Sequence, residues 1–428
     1  MFWIFILSAI AFLDRTNVSI AGPQIRADYG LDNVRLGWII SAFLVGYAAS
    51  QIFAGWAAVR LGPRRALTLG VLWWGVFTLA TAMVPARISG ALWILITVRV
   101  ALGIGEAIIY PASNQFVTKW IPVSERGTVN GIIFAGVGAG AGLTPPLLAA
   151  IIAGYGWRAS FWFSAAIGVA AGIVWYYLAR DTPESHPRVS ADELRTIHEG
   201  LANATEGSGI ASGVPWRAIF SSRTLVLLTF TYFTFGYVAW IFLGWFFMYM
   251  AQARGLDLKA SAFYTMFPFI AMTVFCFAGG VLGDWIAARH GLRAGRCLPG
   301  FAAFVLTAAL LVIGSRVASA PLAAMTLAAG AGVLYISQSA FWAVSADIAG
   351  HSAGVVSGVM NMGCQIGGAL TASLTPWIAQ RFGWTTSFLV AALLAVAGAI
   401  AWLGVDPESR LVNATPAQEP TADVLFRR

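Results

Sequence analysis

Along its 428 positions the chain alternates between apolar blocks of about 20 residues and short polar breaks. A helix rises about 1.5 Å per residue, so one block spans a hydrocarbon layer roughly 30 Å thick. Twelve such blocks are predicted, at 1–22, 36–58, 66–84, 90–114, 128–153 and 158–179, then 224–251, 260–287, 295–315, 320–346, 352–379 and 384–405. The connections are short except for 180–223, where Ser190-Ala-Asp-Glu193 has the spacing of a helix capping box and predicts a short surface helix. The pattern predicts an all-α membrane protein: a six-helix half over 1–179, a linker over 180–223, a second half over 224–405 and a tail over 406–428.

The halves repeat one another. Residues 127–161 align without gaps on 354–388, so that glycines 127, 131, 136, 140 and 156 match glycines 354, 358, 363, 367 and 383. Gly-Trp-x-x-Ser-Phe recurs at 156 and at 383. Parallel repeats of this kind place a substrate site between the halves, near the membrane midplane.

Composition agrees. Only 10% of the residues are charged and 59% are hydrophobic, whereas a soluble protein carries about 25% charged residues. The net charge of +8 raises the question of a nucleic-acid partner, but the basic residues are scattered between apolar blocks and form no patch. They report orientation instead. Loops after spans 2, 4, 6, 8 and 10 hold thirteen Lys and Arg residues and the alternate loops eight, which predicts a cytoplasmic linker and cytoplasmic termini in a bacterial-type inner membrane. Cys276, Cys297 and Cys364 lack metal-site spacing, and no nucleophile–base pair, metal-ligand cluster or phosphate loop is visible. Neither an enzyme nor a cofactor is expected. The chain shows no cleavable signal peptide, and the first apolar block begins at Met1 without a basic leader, so the native start is expected to lie upstream.

Four ionisable residues fall well inside predicted spans: Asp14 and Arg15 in the first, Arg99 and Glu106 in the fourth. Each costs about 2.5–3.5 kcal/mol at a helix centre, unless it pairs or faces water. Their formal charges cancel, so pairing is feasible. Arg99 and Glu106 are two helical turns apart, about 10.5 Å along one face, and both can face one cavity. A buried carboxylate beside an arginine can exchange its salt bridge for a proton, and the arginine so released can bind a substrate carboxylate bidentately. The second half carries no comparable deep charges; Asp284 and Asp347 fall near span ends.

Three segments carry a family resemblance: Leu13-Asp-Arg-Thr-Asn-Val-Ser19, Arg99-x3-Gly-x-Gly-Glu106-Ala-x2-Tyr-Pro111 and Trp120-x-Pro-x2-Glu-Arg-Gly127. They resemble the anion:cation symporter family of the major facilitator superfamily, which includes bacterial galactonate, glucarate and hexuronate importers. The resemblance implies H+ symport of carboxylates. It implies proton-carrying roles for Asp14 and Glu106, substrate or partner roles for Arg15 and Arg99, and a substrate contact at Tyr47. Gln338, Ser339 and Asn361 are the corresponding candidates for binding substrate hydroxyls, with helix-to-helix bonding an equal alternative for Asn361. Arg60 and Asp284 belong to the two copies of the superfamily's gating loop.

Two departures stand out. Phe12 replaces a tyrosine common in sugar-acid members, and Val59 replaces the usual acid of the first gating loop, whereas the second copy keeps Asp284. The function expected from all this is import of a small organic anion with H+ by alternating access, in a lipid bilayer, by a chain able to work as a monomer. An exporter of amphiphilic drugs or metabolites and a non-transporting anion sensor are the rivals. Asn203-x-Thr205 and Asn413-x-Thr415 match glycosylation sequons but fall on the predicted cytoplasmic side, where they carry no meaning.

Overall fold

The structure is a computed structural model that describes residues 2–205 and 214–411. Met1, linker positions 206–213 and the tail from 412 onward, with the Asn413 sequon, lie outside the described residues. The first half comprises α1 (Phe2–Tyr29), α2 (Asn33–Leu61), α3 (Pro63–Met83), α4 (Ala91–Glu106), α5 (Ile109–Trp120), α6 (Arg126–Tyr155) and α7 (Trp157–Leu178). The linker holds α8 (Ala191–Thr205) and α9 (Trp216–Ser221). The second half comprises α10 (Arg223–Gly244), α11 (Phe246–Met248), α12 (Leu258–His290), α13 (Leu292–Arg316), α14 (Ala320–Tyr335), α15 (Gln338–Ala349), α16 (Ala353–Phe382) and α17 (Trp384–Trp402).

Among the described residues, eleven continuous helical stretches are long and apolar enough to cross a membrane. One of them, Ala320–Phe382, runs for 63 residues. At about 1.5 Å per residue it is some three bilayer cores long, and the chain reverses inside it at Gly350, where φ is 54°. It therefore holds two crossings, α14–α15 and α16, and the total is twelve in two six-helix halves. The internal repeat extends to the backbone, since Gly156 and Gly383 turn the chain with φ of 80° and 85° before α7 and α17.

Two crossings are broken at matching depth. The fourth is continuous in the sequence pattern but divides into α4 and α5 at Ala107-Ile108. Pro111 is the cause: it has no N–H for the carbonyl of Ala107, four residues back, and its ring crowds that turn. The tenth crossing breaks at Ile336-Ser337, where the Ser337 hydroxyl donates to the Leu334 carbonyl at 2.6 Å.

Glycines let the halves touch. A Cβ on Gly55 would run into the backbone of Gly354, and one on Gly280 into the backbone of Gly127. These contacts join α2 to α16 and α12 to α6, both near the end of the bundle that carries the linker. There α8 begins as its capping box predicts, with the Glu193 amide donating to the Ser190 hydroxyl at 3.1 Å. Asp181 accepts from the Arg64 amide at 2.9 Å and so fastens the start of the linker to α3.

Candidate functional site

The four intramembrane charges meet around α1. Arg15 Nε lies 2.5 Å from Glu106 Oε1. Glu106 is fully buried, and its other oxygen, Oε2, has no hydrogen-bond partner among the described residues. The Arg15 guanidinium is boxed by aromatic rings: Tyr47 at 4.5 Å, Phe12 at 5.6 Å, Phe43 at 5.7 Å and Tyr110 at 5.8 Å. Such faces stabilise a cation without neutralising it. Its Nη2 is buried and has no hydrogen-bond partner among the described residues. The pair thus retains a free donor and a free acceptor, the two groups that an anion and a proton would take.

Arg99 sits two turns before Glu106, as the spacing requires, yet Arg15 is the residue paired to that acid. Arg99 lies over Phe43 at 5.1 Å and is 1% exposed. Asp14 turns away from Arg15, towards Thr78 on α3 and Ser164 on α7, within electrostatic reach of Glu106 and Arg99. Neither carboxylate oxygen has a hydrogen-bond partner among the described residues. Behind it, Asn17 donates to Ser164 at 3.0 Å and accepts from Ser160 at 2.7 Å, a polar seam between α1 and α7. The one-residue offset that separates Asp14 from Arg15 by roughly 100° therefore sends them to different compartments.

The second half closes the site with neutral groups. Asn361 Nδ2 donates to Gln51 Oε1 at 2.9 Å and approaches the Tyr47 hydroxyl at 3.5 Å. One turn further along α16, Cys364 is buried. Gln338 and Trp342 both donate to the Tyr232 hydroxyl, at 2.9 and 3.0 Å. Trp342 also packs on Phe134 and Tyr110, centroids 4.8 and 5.7 Å away, so that an aromatic stack joins the halves beneath Arg15. Ser339 is buried beside this group, 1% exposed. On α10, Tyr232 and Phe235 are buried in this wall.

At the linker end the halves are latched. Asp284 of α12 accepts from the amides of Gly127 and Thr128 at 3.1 and 2.5 Å, capping the positive end of α6. It also bonds Arg296 at 2.6 Å, while Arg296 and Arg126 share Asp347 at 3.2 and 2.8 Å. Arg296 reaches the Val123 carbonyl as well, at 2.8 Å. The other gating candidate, Arg60, lies over the exposed Trp56 ring at 5.8 Å, away from this latch.

Around Val59 the related task falls to a different residue. Gln115 of α5 accepts from the Gly354 amide at 2.9 Å and donates to the His351 carbonyl at 3.0 Å, capping the start of α16. Next to it Asn114 donates to Ser345 at 2.9 Å. The sequence pattern gives Gln115, Gln51 and Arg296 no functional mark; the one signal available is the missing acid at Val59, which leaves a helix start in need of another cap.

A family model described as the Major Facilitator Superfamily matches residues 4–372. A protein described as a probable sulfoacetate transporter of Cupriavidus necator is 35% identical over 403 residues, covering 93% of this chain and 91% of its own. The hexuronate transporter of Bacillus subtilis is 27% identical, covering 93% and 92%. A probable galactarate/D-glucarate transporter of the same organism is 28% identical, covering 98% and 94%. Among solved structures, the proton:xylose symporter XylE superposes with a TM-score of 0.74 over 96% of this chain and 97% of that one, at 14% identity, a likeness of fold.

Proposed function

This chain belongs to the major facilitator superfamily, and on that footing we propose that it imports a small organic anion together with H+ by alternating access. The observation that carries the reading is the Arg15–Glu106 pair, buried between the halves with one donor and one acceptor left over. Transporters of sulfoacetate, hexuronate and aldarates among its relatives support an anionic substrate, a carboxylate or sulfonate.

The excess of basic residues in the linker-side loops supports a cytoplasmic position for that end, in a bacterial-type inner membrane. The latch of Asp284, Arg296, Arg126, Asp347 and Gln115 then closes the cytoplasmic side. A proton arriving on Glu106 replaces its bond from Arg15. The released guanidinium, held in its aromatic box, takes the anion with two parallel hydrogen bonds. Asp14 is the second proton acceptor, held against α3 and α7 and coupled to the site through Arg99 and Glu106. With both charges neutralised the halves rock, the latch opens, and proton and anion leave inward. Each twelve-helix chain contains the whole pathway and works as a monomer.

The test is uptake into proteoliposomes of labelled hexonates, hexuronates, aldarates and sulfonates, with and without an inward proton gradient. Gradient-driven accumulation of an acid that Glu106→Gln abolishes supports the proposal. Movement of amphiphilic cations instead, with no acid taken up, overturns it in favour of export.

A further inference from the structure

A buried carbonyl can only accept, and that constraint runs through three residues to the substrate. Pro111 leaves the Ala107 carbonyl without its helical donor, and a buried carbonyl needs one from elsewhere. Gln51 Nε2, on α2, points to it at 3.5 Å, from a side chain that is fully buried. Gln51 therefore turns its nitrogen to Ala107 and has only Oε1 left for the other side. That oxygen faces α16, where Asn361 must answer with its nitrogen, and the Nδ2–Oε1 distance is 2.9 Å. Asn361 Nδ2 also points to the Tyr47 hydroxyl, whose ring covers Arg15. What remains on Asn361 is Oδ1, an acceptor, on the residue that meets the tyrosine covering Arg15.

We propose that Gln51 is a specificity-determining residue: it fixes the polarity of Asn361, so that the second half offers an acceptor next to Arg15 and selects anions that carry a hydroxyl or N–H donor near the acid group. Gln51 acts through Asn361 and is a positioning residue. The inference rests on the anion-import reading and adds to it a rule for choosing among anions of equal charge. An anion without a donor would bury the Asn361 oxygen unsatisfied, a loss that lowers affinity about tenfold or more.

The experiment is titration calorimetry on the full chain in nanodiscs with four matched pairs: glycerate and propionate, malate and succinate, sulfolactate and 3-sulfopropionate, gluconate and hexanoate. The expected result is that, in each pair that binds, the hydroxylated acid binds at least about tenfold more tightly. The ratio falls towards one in Gln51→Leu, which leaves Asn361 free to turn over. It falls equally in Pro111→Ala, which returns an N–H to the Ala107 carbonyl and releases Gln51 from it. Gln51→Glu keeps the ratio, because a carboxyl oxygen still accepts from Asn361 Nδ2. Equal affinities within the wild-type pairs overturn the inference and leave anion binding intact. A ratio that persists in either Gln51→Leu or Pro111→Ala, whichever folds, also overturns it. Binding of none of the eight probes overturns the anion reading and this inference with it.

Discussion

Arg15 and Glu106 are 91 positions apart in sequence and meet at 2.5 Å, whereas Arg99, on the same crossing as Glu106, is not the residue that pairs with it. The pairing joins α1 to the break between α4 and α5, so the state of one carboxylate is tied to the position of two crossings. Removing one partner of a buried ion pair leaves the other charge uncompensated, a loss of about 3–5 kcal/mol. In the proposed cycle, a proton on Glu106 and an anion on Arg15 would silence both charges together.

Glu106→Gln is expected to lose accumulation driven by the proton gradient while retaining exchange of labelled for unlabelled substrate. Comparing the two assays in the same proteoliposomes separates coupling from binding. Loss of both to the same degree would assign Glu106 to substrate binding alone.

Arg15→Lys keeps the charge but not the planar fork that a carboxylate or sulfonate meets with two bonds. A fall in substrate affinity of roughly tenfold is expected, and of 100-fold or more for Arg15→Ala, where a charge-assisted bond worth about 1.5–3 kcal/mol disappears along with the charge itself. Affinities measured by titration calorimetry check both.

At the linker end, Gln115→Ala removes two hydrogen bonds between the halves, and Asp284→Asn weakens the cap on α6 and the bond to Arg296. Each is worth about 1–3 kcal/mol, enough to shift a two-state population by about 5- to 150-fold. Spin labels at Ser124 and Arg293, both exposed at that end, should record a longer separation in either variant. An unchanged distance distribution would show that neither residue holds the gate.

Gly103 of α4 packs so closely on α2 that a Cβ there would strike the Phe43 carbonyl and the Tyr47 amide. Gly103→Val is therefore expected to push α2 away, moving Phe43 and Tyr47 off Arg15, and to lose transport more completely than stability. Thermal unfolding and uptake measured on the same preparation distinguish this local effect from failure to fold.

The linker carries a mild pH dependence of its own. His198 bonds Glu184 at 2.6 Å, and this hydrogen bond holds the Glu184 carboxyl below its ordinary range. A carboxyl lowered on folding adds stability above its unfolded pKa, about 4.3, and loses it as pH falls through the lowered value. Protection of α8 amides from hydrogen exchange should be flat above that range and decline below it. Both side chains are about half exposed, so solvent screening keeps the effect small.

Much of this molecule could be read from its residues in order. The twelve crossings follow from apolar block length, because lipid leaves a chain few ways to satisfy its backbone. The repeat at 127 and 354 revealed the two halves, and it reappears in the paired glycine turns at 156 and 383. Asp14, Arg15, Arg99 and Glu106 were legible as a set, since charge inside a span is costly enough to be rare. The break after Glu106 was not, although Pro111 stood in the motif; the apolar pattern runs straight across it.

What the sequence could not tell was who meets whom. Apolar periodicity places a charge at a depth, but its partner depends on which crossing is the neighbour and how each is rotated, and those follow from packing over the whole bundle. Hence Arg15 rather than Arg99 holds Glu106, and Asp14, one residue away, faces another compartment. The same holds for Gln51 with Asn361 and Gln115 with Gly354, pairs of neutral residues 310 and 239 positions apart. An amide carries no insertion penalty large enough to mark it in a sequence, and only when the helices are in contact does its hydrogen bond acquire a meaning.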